Sequence, residues 1–247
     1  MFNALLENVL NLLLPQKPRA RELLAMSPDE FAKRAGRNQE NAGKNILSLF
    51  DYRSPLVKEA VWMLKYRGNK EIAALLAACL YDELLAFLEE YSPLTNFQEP
   101  LLIPIPLSRK RERERGFNQC VLLTDALMRL DISPNRGSTA VFGVEGCILP
   151  NKGGTRVGEG GGYVGRNFTL SLALSKNRDT PSQTKTDSRA KRLENLEGCF
   201  AADAAVVSGR NIILIDDVAT TGATLLEARR ALRAAGARKV IAFTIAH

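Results

Sequence analysis

The stretch that decides the fold is Ile212-Ile213-Leu214-Ile215-Asp216-Asp217-Val218-Ala219-Thr220-Thr221-Gly222-Ala223-Thr224. Its four leading aliphatic residues form a continuous apolar run, which is typical of a parallel strand covered on both faces. The acids Asp216 and Asp217 follow at the end of that strand, where open α/β sheets place their ligand crevice. The stretch therefore predicts a parallel α/β fold with a ligand site at the carboxyl end of this strand.

The loop after the acids has the composition of an anion site. It offers hydroxyl groups and clustered backbone N–H groups at a predicted helix N-terminus, where phosphate is the usual anion. Helix capping alone would need one of the threonines and no acid pair. The loop lacks the Gly-Lys-Ser/Thr of a Walker A element, which argues against an ATPase or GTPase of that type. Acids beside such a loop fit sugar hydroxyls or a Mg²⁺ ion. The residues that define this phosphate site are Thr220, Thr221, Gly222 and Thr224.

A charged run, residues 109–115, directly follows a short predicted strand at residues 101–106. Most such runs are solvated surface. This one lies at the carboxyl end of a strand, and it leads into Gly116-Phe117-Asn118-Gln119, which indicates a tight turn that opens a helix. Guanidinium groups bind phosphate oxygens bidentately, so we predict a pyrophosphate loop here, with nucleic-acid contact as a compatible second use. Its candidate residues are Arg109, Arg113, Arg115 and Gly116.

A polar, basic segment at residues 180–195 allows two interpretations. It suits a mobile lid that closes over a reacting sugar and excludes water. It equally suits an ordinary connector or the start of a surface helix, and the sequence does not decide between them. The lid candidates are Lys185, Arg189 and Arg192.

The composition narrows the chemistry. A net charge of +7 and a pI of about 9.4 fit a polyanionic ligand or a nucleic acid. The single histidine, His247, argues against Ser-His-Asp and Cys-His catalysis and against His-rich metal sites. The four cysteines are far apart in sequence, so no C-x-x-C zinc or redox site exists and no zinc is expected. Cysteines of this kind favour a reducing cytoplasm as the location.

Two parts of the chain are predicted to differ from the main domain. Residues 1–45 form a helical N-terminal segment, in which residues 1–14 are apolar at helical spacing but too short to span a bilayer. Residues 46–247 form the α/β domain, interrupted by a glycine-rich insertion at about 133–170 whose role stays open. No transmembrane segment is expected.

Together these segments resemble the competence protein F (ComF) family of phosphoribosyltransferase-like proteins. The matching pieces are Tyr52–Gly68, Ile103–Gln119, Arg178–Phe200 and Ile212–Thr224, and the last is similar to the phosphoribosyl pyrophosphate (PRPP) motif of type I phosphoribosyltransferases. The resemblance implies a mainly parallel central sheet flanked by helices. It also implies that the acid pair binds the ribose hydroxyls and acts in catalysis. The loop that would wrap the 5′-phosphate comprises Ala219, Thr220, Thr221, Gly222, Ala223 and Thr224.

The function that this resemblance implies is PRPP binding with Mg²⁺, for an unknown acceptor, in DNA uptake during natural competence. Mg²⁺ is expected to arrive with PRPP, with Asp216 or Asp217 as the protein groups that could contact it. Single-stranded DNA and the DNA-uptake machinery are the expected macromolecular partners. A non-catalytic DNA-handling or PRPP-sensing module and a nucleobase salvage enzyme are the alternatives. Many family members begin with a four-cysteine zinc module, which residues 1–45 lack.

Overall fold

The computed structural model describes residues 18–38, 45–132, 163–178 and 196–247. In these residues a six-stranded sheet has the order β1-β8-β7-β2-β4-β3, and β5 pairs with β6 in a separate two-stranded sheet. The strands are β1 (Ile46–Phe50), β2 (Leu101–Pro104), β3 (Tyr163–Val164), β4 (Thr169–Leu170), β5 (Leu174–Lys176), β6 (Phe200–Ala202), β7 (Asn211–Val218) and β8 (Lys239–Ala246). All pairings in the larger sheet are parallel except the one between β3 and β4.

The centre of this sheet is β7, the strand predicted from the apolar run. Its aliphatic residues 212–215 are fully buried, and they lie between β2 on one side and β8 on the other. Burial on both faces is what a continuous aliphatic run requires. The predicted α/β fold with a mainly parallel sheet is therefore confirmed. Strand β1 was missed, because its residues follow a polar stretch that reads as a linker and its partner β8 lies almost two hundred residues away.

Helices cover the sheet, and local side chains fix the ends of several of them. Ser27 caps one helix by accepting a hydrogen bond from the Glu30 backbone N–H, and Asn69 caps another by accepting from Ile72. Gly68 ends a third helix in the left-handed conformation. The helices are α1 (Pro18–Ala25), α2 (Pro28–Ala35), α3 (Pro55–Arg67), α4 (Lys70–Thr95), α5 (Arg109–Arg115), α6 (Gln119–Ile132), α7 (Ala204–Val207) and α8 (Ala223–Ala234).

The charged run at residues 109–115 corrects one expectation, because it is the helix α5 and not a loop. Ser108 caps it by accepting a hydrogen bond from the Arg111 N–H at 3.4 Å, and Gly116 ends it with φ 78°. Arginine, lysine and glutamate all have high helix propensity, so a capped run of them readily forms a helical turn. None of its residues is buried.

The described part of the N-terminal segment packs on the main domain. Leu23 of α1 and Phe31 of α2 are fully buried and share one hydrophobic core with α3 and α4. The Phe31 ring meets the Phe50 ring of β1 edge-on, with centroids 5.4 Å apart. The expected helical character of this segment holds for residues 18–35, and residues 1–17 lie outside the described residues.

The glycine-rich insertion falls mostly outside the described residues. Its last part, residues 163–170, contains β3 and β4 at the edge of the sheet. The turn between them is held by the buried carboxylate of Asp131, which accepts hydrogen bonds from the backbone N–H groups of Asn167 at 3.0 Å and Phe168 at 3.1 Å. Tyr81 of α4 donates to the same carboxylate at 3.0 Å. The turn between β3 and β4 is therefore fixed to α6, which carries Asp131, and through it to α4.

The helices of the described ranges contain no segment with both the length and the apolar character needed to cross a membrane.

Candidate functional site

The acid pair lies at the carboxyl end of β7, as predicted. Asp216 is 9% exposed and Asp217 is 3% exposed. One oxygen of each carboxylate is held by the strand itself, because Asp216 Oδ1 accepts from the Asp217 N–H at 2.9 Å and Asp217 Oδ1 accepts from the Val218 N–H at 3.0 Å. The second oxygen of Asp217 is buried and makes no hydrogen bond with the described residues.

Lys65 of α3 reaches this pair, although no motif in the sequence marks it as a site residue. Its ammonium nitrogen lies 3.0 Å from Asp217 Oδ2, in a contact where the lysine side chain is 22% exposed and the aspartate side chain 4%. The contact is an ion pair without aligned hydrogen-bond geometry, since Oδ2 has no hydrogen-bond partner among the described residues. Burial is the largest single influence and lowers the pKa of Lys65, but the contact with Asp217 and the negative charges of Asp217 and Asp216 together outweigh it, so the pKa is raised overall. Lys65 therefore stays charged and partly neutralises the acids.

Cys120 of α6 closes the other side of the pair. Its thiol donates to Asp216 Oδ1 at 3.3 Å, and the residue is fully buried. Burial, reinforced by the charge of Asp216, raises the pKa of Cys120 well above its usual value. The group is therefore a neutral thiol at physiological pH, and it is neither a nucleophile nor a thiolate ligand.

The charge state of the pair is set mainly by Asp216. Burial, followed by the charge of Asp217, raises the pKa of Asp216 to about 7. Near neutral pH the protonated and the ionised forms of Asp216 are therefore both populated, beside a charged Lys65. A ligand that needs two ionised carboxylates binds better as the pH rises through about 7.

Asp216 should make stability depend on pH. Its folded-state pKa of about 7 lies above the unfolded value of about 3.9. The contribution of Asp216 to the free energy of unfolding is therefore complete below about pH 4 and is lost as the pH rises through about 7. The free energy of unfolding of Asp216→Asn, taken relative to that of the wild type, should therefore increase by on the order of 2 kcal/mol between about pH 5 and about pH 8. Urea unfolding at the two pH values measures this. A constant difference between the two proteins would contradict the raised pKa.

The site's donor set bears on Mg²⁺. The Cys120 Sγ and one oxygen from each of Asp216 and Asp217 lie within 4.8 Å of one another. Carboxylate oxygens suit Mg²⁺, but a neutral thiol does not. The ammonium of Lys65 already forms an ion pair with Asp217. The residues therefore fit a Mg²⁺ that is held by ligand phosphates and touches at most one carboxylate oxygen.

The loop that follows the acids is anchored at its start and exposes Thr220. The Ala219 N–H donates to the Ala246 carbonyl at 2.9 Å, and the His247 ring nitrogen Nδ1 lies 2.7 Å from the Ala219 carbonyl oxygen. Gly222, at φ 71°, precedes the twelve-residue helix α8 and allows the sharp entry into it. The predicted loop residues thus surround a helix N-terminus beside the acid pair.

Strand β2 brings the arginine-rich helix α5 to the same edge of the sheet. Pro104 at the end of β2 pairs with Ile215, the residue before the acids. Beyond α5, Asn118 fixes the turn by donating to the Ile105 carbonyl at 3.0 Å and by accepting from the Cys120 N–H at 2.8 Å. Asn118 therefore positions the residue whose thiol contacts Asp216.

The candidate arginines of α5 differ in their surroundings. Arg115 donates to Gln119 Oε1 at 2.8 Å and lies 5.3 Å from the centre of the Tyr66 ring. Arg113 folds back onto the Arg109 carbonyl at 3.2 Å and is exposed, as is Arg109. Their role as pyrophosphate ligands stays a prediction.

The end of α3 and the turn after α5 meet closely. A Cβ on Gly68 would lie 2.9 Å from the Phe117 ring, and Gly68 has φ 56°. Both the space and the backbone conformation therefore favour glycine. This contact brings the helix that carries Lys65 against the turn that carries Gly116.

The lid candidates Lys185, Arg189 and Arg192 lie outside the described residues. The described chain resumes at residue 196, where the Gly198 N–H donates to the buried Glu227 Oε1 of α8 at 2.7 Å.

Three comparisons place the chain among known proteins. Residues 166–247 match the family model described as phosphoribosyl transferase domain. The chain is 32% identical over 199 residues to competence protein ComFC of Bacillus subtilis, which covers 80% of this chain and 62% of that protein. It is 29% identical over 198 residues to DNA utilization protein YhgH of Salmonella typhimurium, covering 80% of this chain and 69% of that protein.

A third relative, competence protein ComFC of Streptococcus pneumoniae, is 27% identical over 207 residues, covering 84% of this chain and 70% of that protein. Among solved structures, one titled as the allosteric regulatory enzyme of purine biosynthesis matches 74% of this chain and 30% of its own chain, at 15% identity and a TM-score of 0.34. The chain spans less than two thirds of the Bacillus subtilis protein, so that protein's full length contains more than is compared.

Proposed function

We propose that this chain binds PRPP together with Mg²⁺ at the acid pair and the loop that follows it. Its similarity to the ComFC and YhgH proteins and the match of residues 166–247 to a phosphoribosyl transferase domain support this proposal. The observation that supports this most is the placement of Asp216 and Asp217 beside the N-terminus of α8. Carboxylate oxygens suit ribose hydroxyls, and a helix N-terminus suits a phosphate.

Each group has a role in this proposal. Asp216 and Asp217 accept hydrogen bonds from the ribose 2′- and 3′-hydroxyls. The loop residues 219–224 bind the 5′-phosphate through backbone N–H and hydroxyl groups. Arg109, Arg113 and Arg115 of α5 bind the pyrophosphate that leaves.

The chemistry would be transfer of the phosphoribosyl group. The bond from ribose C1 to pyrophosphate breaks, and C1 forms a bond to an acceptor through an oxocarbenium-like transition state. Such a reaction depends on positioning and charge stabilisation more than on a strong nucleophile. A neutral Cys120, an acid pair and several arginines suit it. Lys65 is charged and so unsuited to act as a base, and it would help to hold the acids in place.

Pyrophosphate release tests the proposal. We expect release from Mg²⁺–PRPP when the true acceptor is supplied from a panel of nucleobases, nucleotides and single-stranded oligonucleotides. An Asp216→Asn with Asp217→Asn variant serves as the inactive control. Release with one free base alone would favour nucleobase salvage. PRPP binding without release for any acceptor would favour the sensor alternative, and release at the same rate from the control would contradict the site.

The relatives' names extend the proposal to DNA. Proteins named for competence and for DNA utilization suggest that this chain also acts in DNA uptake or use, with single-stranded DNA as a partner. A non-catalytic DNA-handling module is the second candidate. The free cysteines Cys79, Cys120 and Cys199 suit a reducing compartment, and the proposal places the protein in the cytoplasm.

A further inference from the structure

Helix α3 presents two large aromatic side chains to solvent. Trp62 is 43% exposed and Tyr66 is 61% exposed, although most of the described aromatic residues are buried or half-buried. They lie four residues apart on one face of the helix, and their ring centroids are 5.9 Å apart with planes tilted by 43°. Aromatic rings left in water on a structured helix form a surface that is available for stacking.

Each ring is accompanied by a guanidinium group. Arg67 lies 5.2 Å from the centre of the Trp62 ring, and Arg115 lies 5.3 Å from the centre of the Tyr66 ring. Lys58 is exposed one turn before Trp62 on the same face. The aromatic pair is therefore lined by positive charge on α3 and by α5.

The charge of the neighbouring helix has the same sign. Helix α5, with the sequence RKRERER, carries five basic and two acidic residues, and all of them lie at or near the surface. Glu59, which is half-buried, is the acidic residue beside Trp62 on α3 itself. The surface thus joins flat apolar rings to an excess of cations, which complements a ligand with flat bases and an anionic backbone.

We propose that the Trp62–Tyr66 surface, together with Arg67 and Arg115, binds single-stranded nucleic acid by stacking its bases on the two rings. The choice of nucleic acid rests on the proposed DNA role, whereas the two rings take no part in the proposed PRPP binding. Successive bases stack on aromatic side chains while cations hold the backbone. In a duplex the base faces are already stacked on one another, so the rings select unpaired bases.

The surface adjoins the proposed PRPP site. Lys65, which contacts Asp217, lies between Trp62 and Tyr66 in the sequence of α3, and the Arg115 guanidinium lies over the Tyr66 ring from the predicted pyrophosphate segment. A strand on this surface therefore passes beside the acid pair.

The chain provides its own probe, since Trp62 is the single tryptophan. We expect an oligothymidylate to quench the tryptophan fluorescence in proportion to binding measured by anisotropy of a labelled oligonucleotide. We expect an abasic oligonucleotide of equal length, with the same phosphates and no bases, to bind less tightly and to quench less. Full binding with unchanged tryptophan emission would overturn the proposal.

Matched variants test the two rings. Trp62→Ala with Tyr66→Ala should weaken oligothymidylate binding at least about ten-fold and should abolish the preference over the abasic strand. Trp62→Phe with Tyr66→Phe keeps both ring faces and should retain most of the affinity. Leu94→Ala removes an exposed apolar side chain on α4, 81% exposed, and should change nothing.

The outcomes separate this inference from the proposed function. The stabilisation by Mg²⁺–PRPP, measured on the same double alanine variant, should persist. Loss of oligonucleotide affinity with retained PRPP binding supports the stacking surface. The stacking surface is overturned if the alanine variant binds the oligonucleotide as tightly as the wild type does, or if a duplex binds as tightly as the single strand. Neither result bears on PRPP binding. A wild type with no affinity for single strands also overturns the stacking surface, and would point to a protein partner for the aromatic pair.

Discussion

Replacing Asp216 and Asp217 together by asparagine is expected to abolish the rise in melting temperature that Mg²⁺–PRPP gives the wild-type protein. At a ligand concentration about 100 times Kd, a ligand that binds only the folded state stabilises it by roughly 2.7 kcal/mol. The asparagines keep the size of the side chains but remove both negative charges. They also replace one acceptor oxygen of each carboxylate by a donor. Thermal unfolding with and without Mg²⁺–PRPP measures the difference.

A matched control separates the acid pair from a general loss of charge. Glu89 and Glu90 are adjacent, exposed acids on α4, so Glu89→Gln with Glu90→Gln removes the same two charges away from the site. This variant should keep the full ligand-induced shift. An equal shift in the Asp216 and Asp217 double variant would remove the acid pair from the binding site.

Lys65→Met is expected to destabilise the folded protein by about 3 kcal/mol near pH 8, because it leaves the buried carboxylate of Asp217 without its cation. The loss should shrink at lower pH, where protonation of Asp216 reduces the negative charge of the pair. Urea unfolding at about pH 5 and about pH 8 measures both effects. Lys58→Met removes an exposed lysine from the same helix and should cost little.

A double-mutant cycle then isolates the ion pair. Lys65→Met combined with Asp217→Asn should be less destabilised than the two single losses together, with a coupling within the range of about 0.5–3 kcal/mol that neighbouring residues show. Strict additivity of the two substitutions would mean that the 3.0 Å contact contributes nothing to the fold.

The sequence predicts those parts of the fold that are encoded locally. Four aliphatic residues in a row favour a strand that is buried on both faces, and residues 212–215 form one. Helices start after Ser27 and Asn69 because the side chains of these residues cap the helices that follow them. The position of the acid pair follows from the strand that carries it. These features depend on residues within a few positions of one another.

The features that the sequence did not predict depend on distant partners. Strand β1 is short and lies at the sheet edge, and its pairing with β8 joins residues about two hundred positions apart. Lys65 reads as one more surface lysine, although it follows Val61 and Leu64 on the inward side of α3, a pattern that could have marked it. The arginine run resembles a solvated loop because all of its residues are charged, although Ser108 caps it as a helix.

Cys120 illustrates how packing changes the meaning of a residue. Cys120 is fully buried in α6, and its contact with Asp216 at 3.3 Å arises only when α6 docks on β7. The same docking buries the acids and raises the pKa of Asp216 to about 7, a value that no local pattern could indicate.

The most direct test of PRPP binding is a calorimetric titration of the wild-type protein with PRPP in the presence of Mg²⁺. The account predicts saturable binding of one PRPP per chain, weaker binding of ribose 5-phosphate, which lacks the pyrophosphate, and affinity that increases from about pH 6 to about pH 8 as Asp216 ionises. No heat of binding for PRPP at any of these pH values, with the protein shown to be folded, would contradict it.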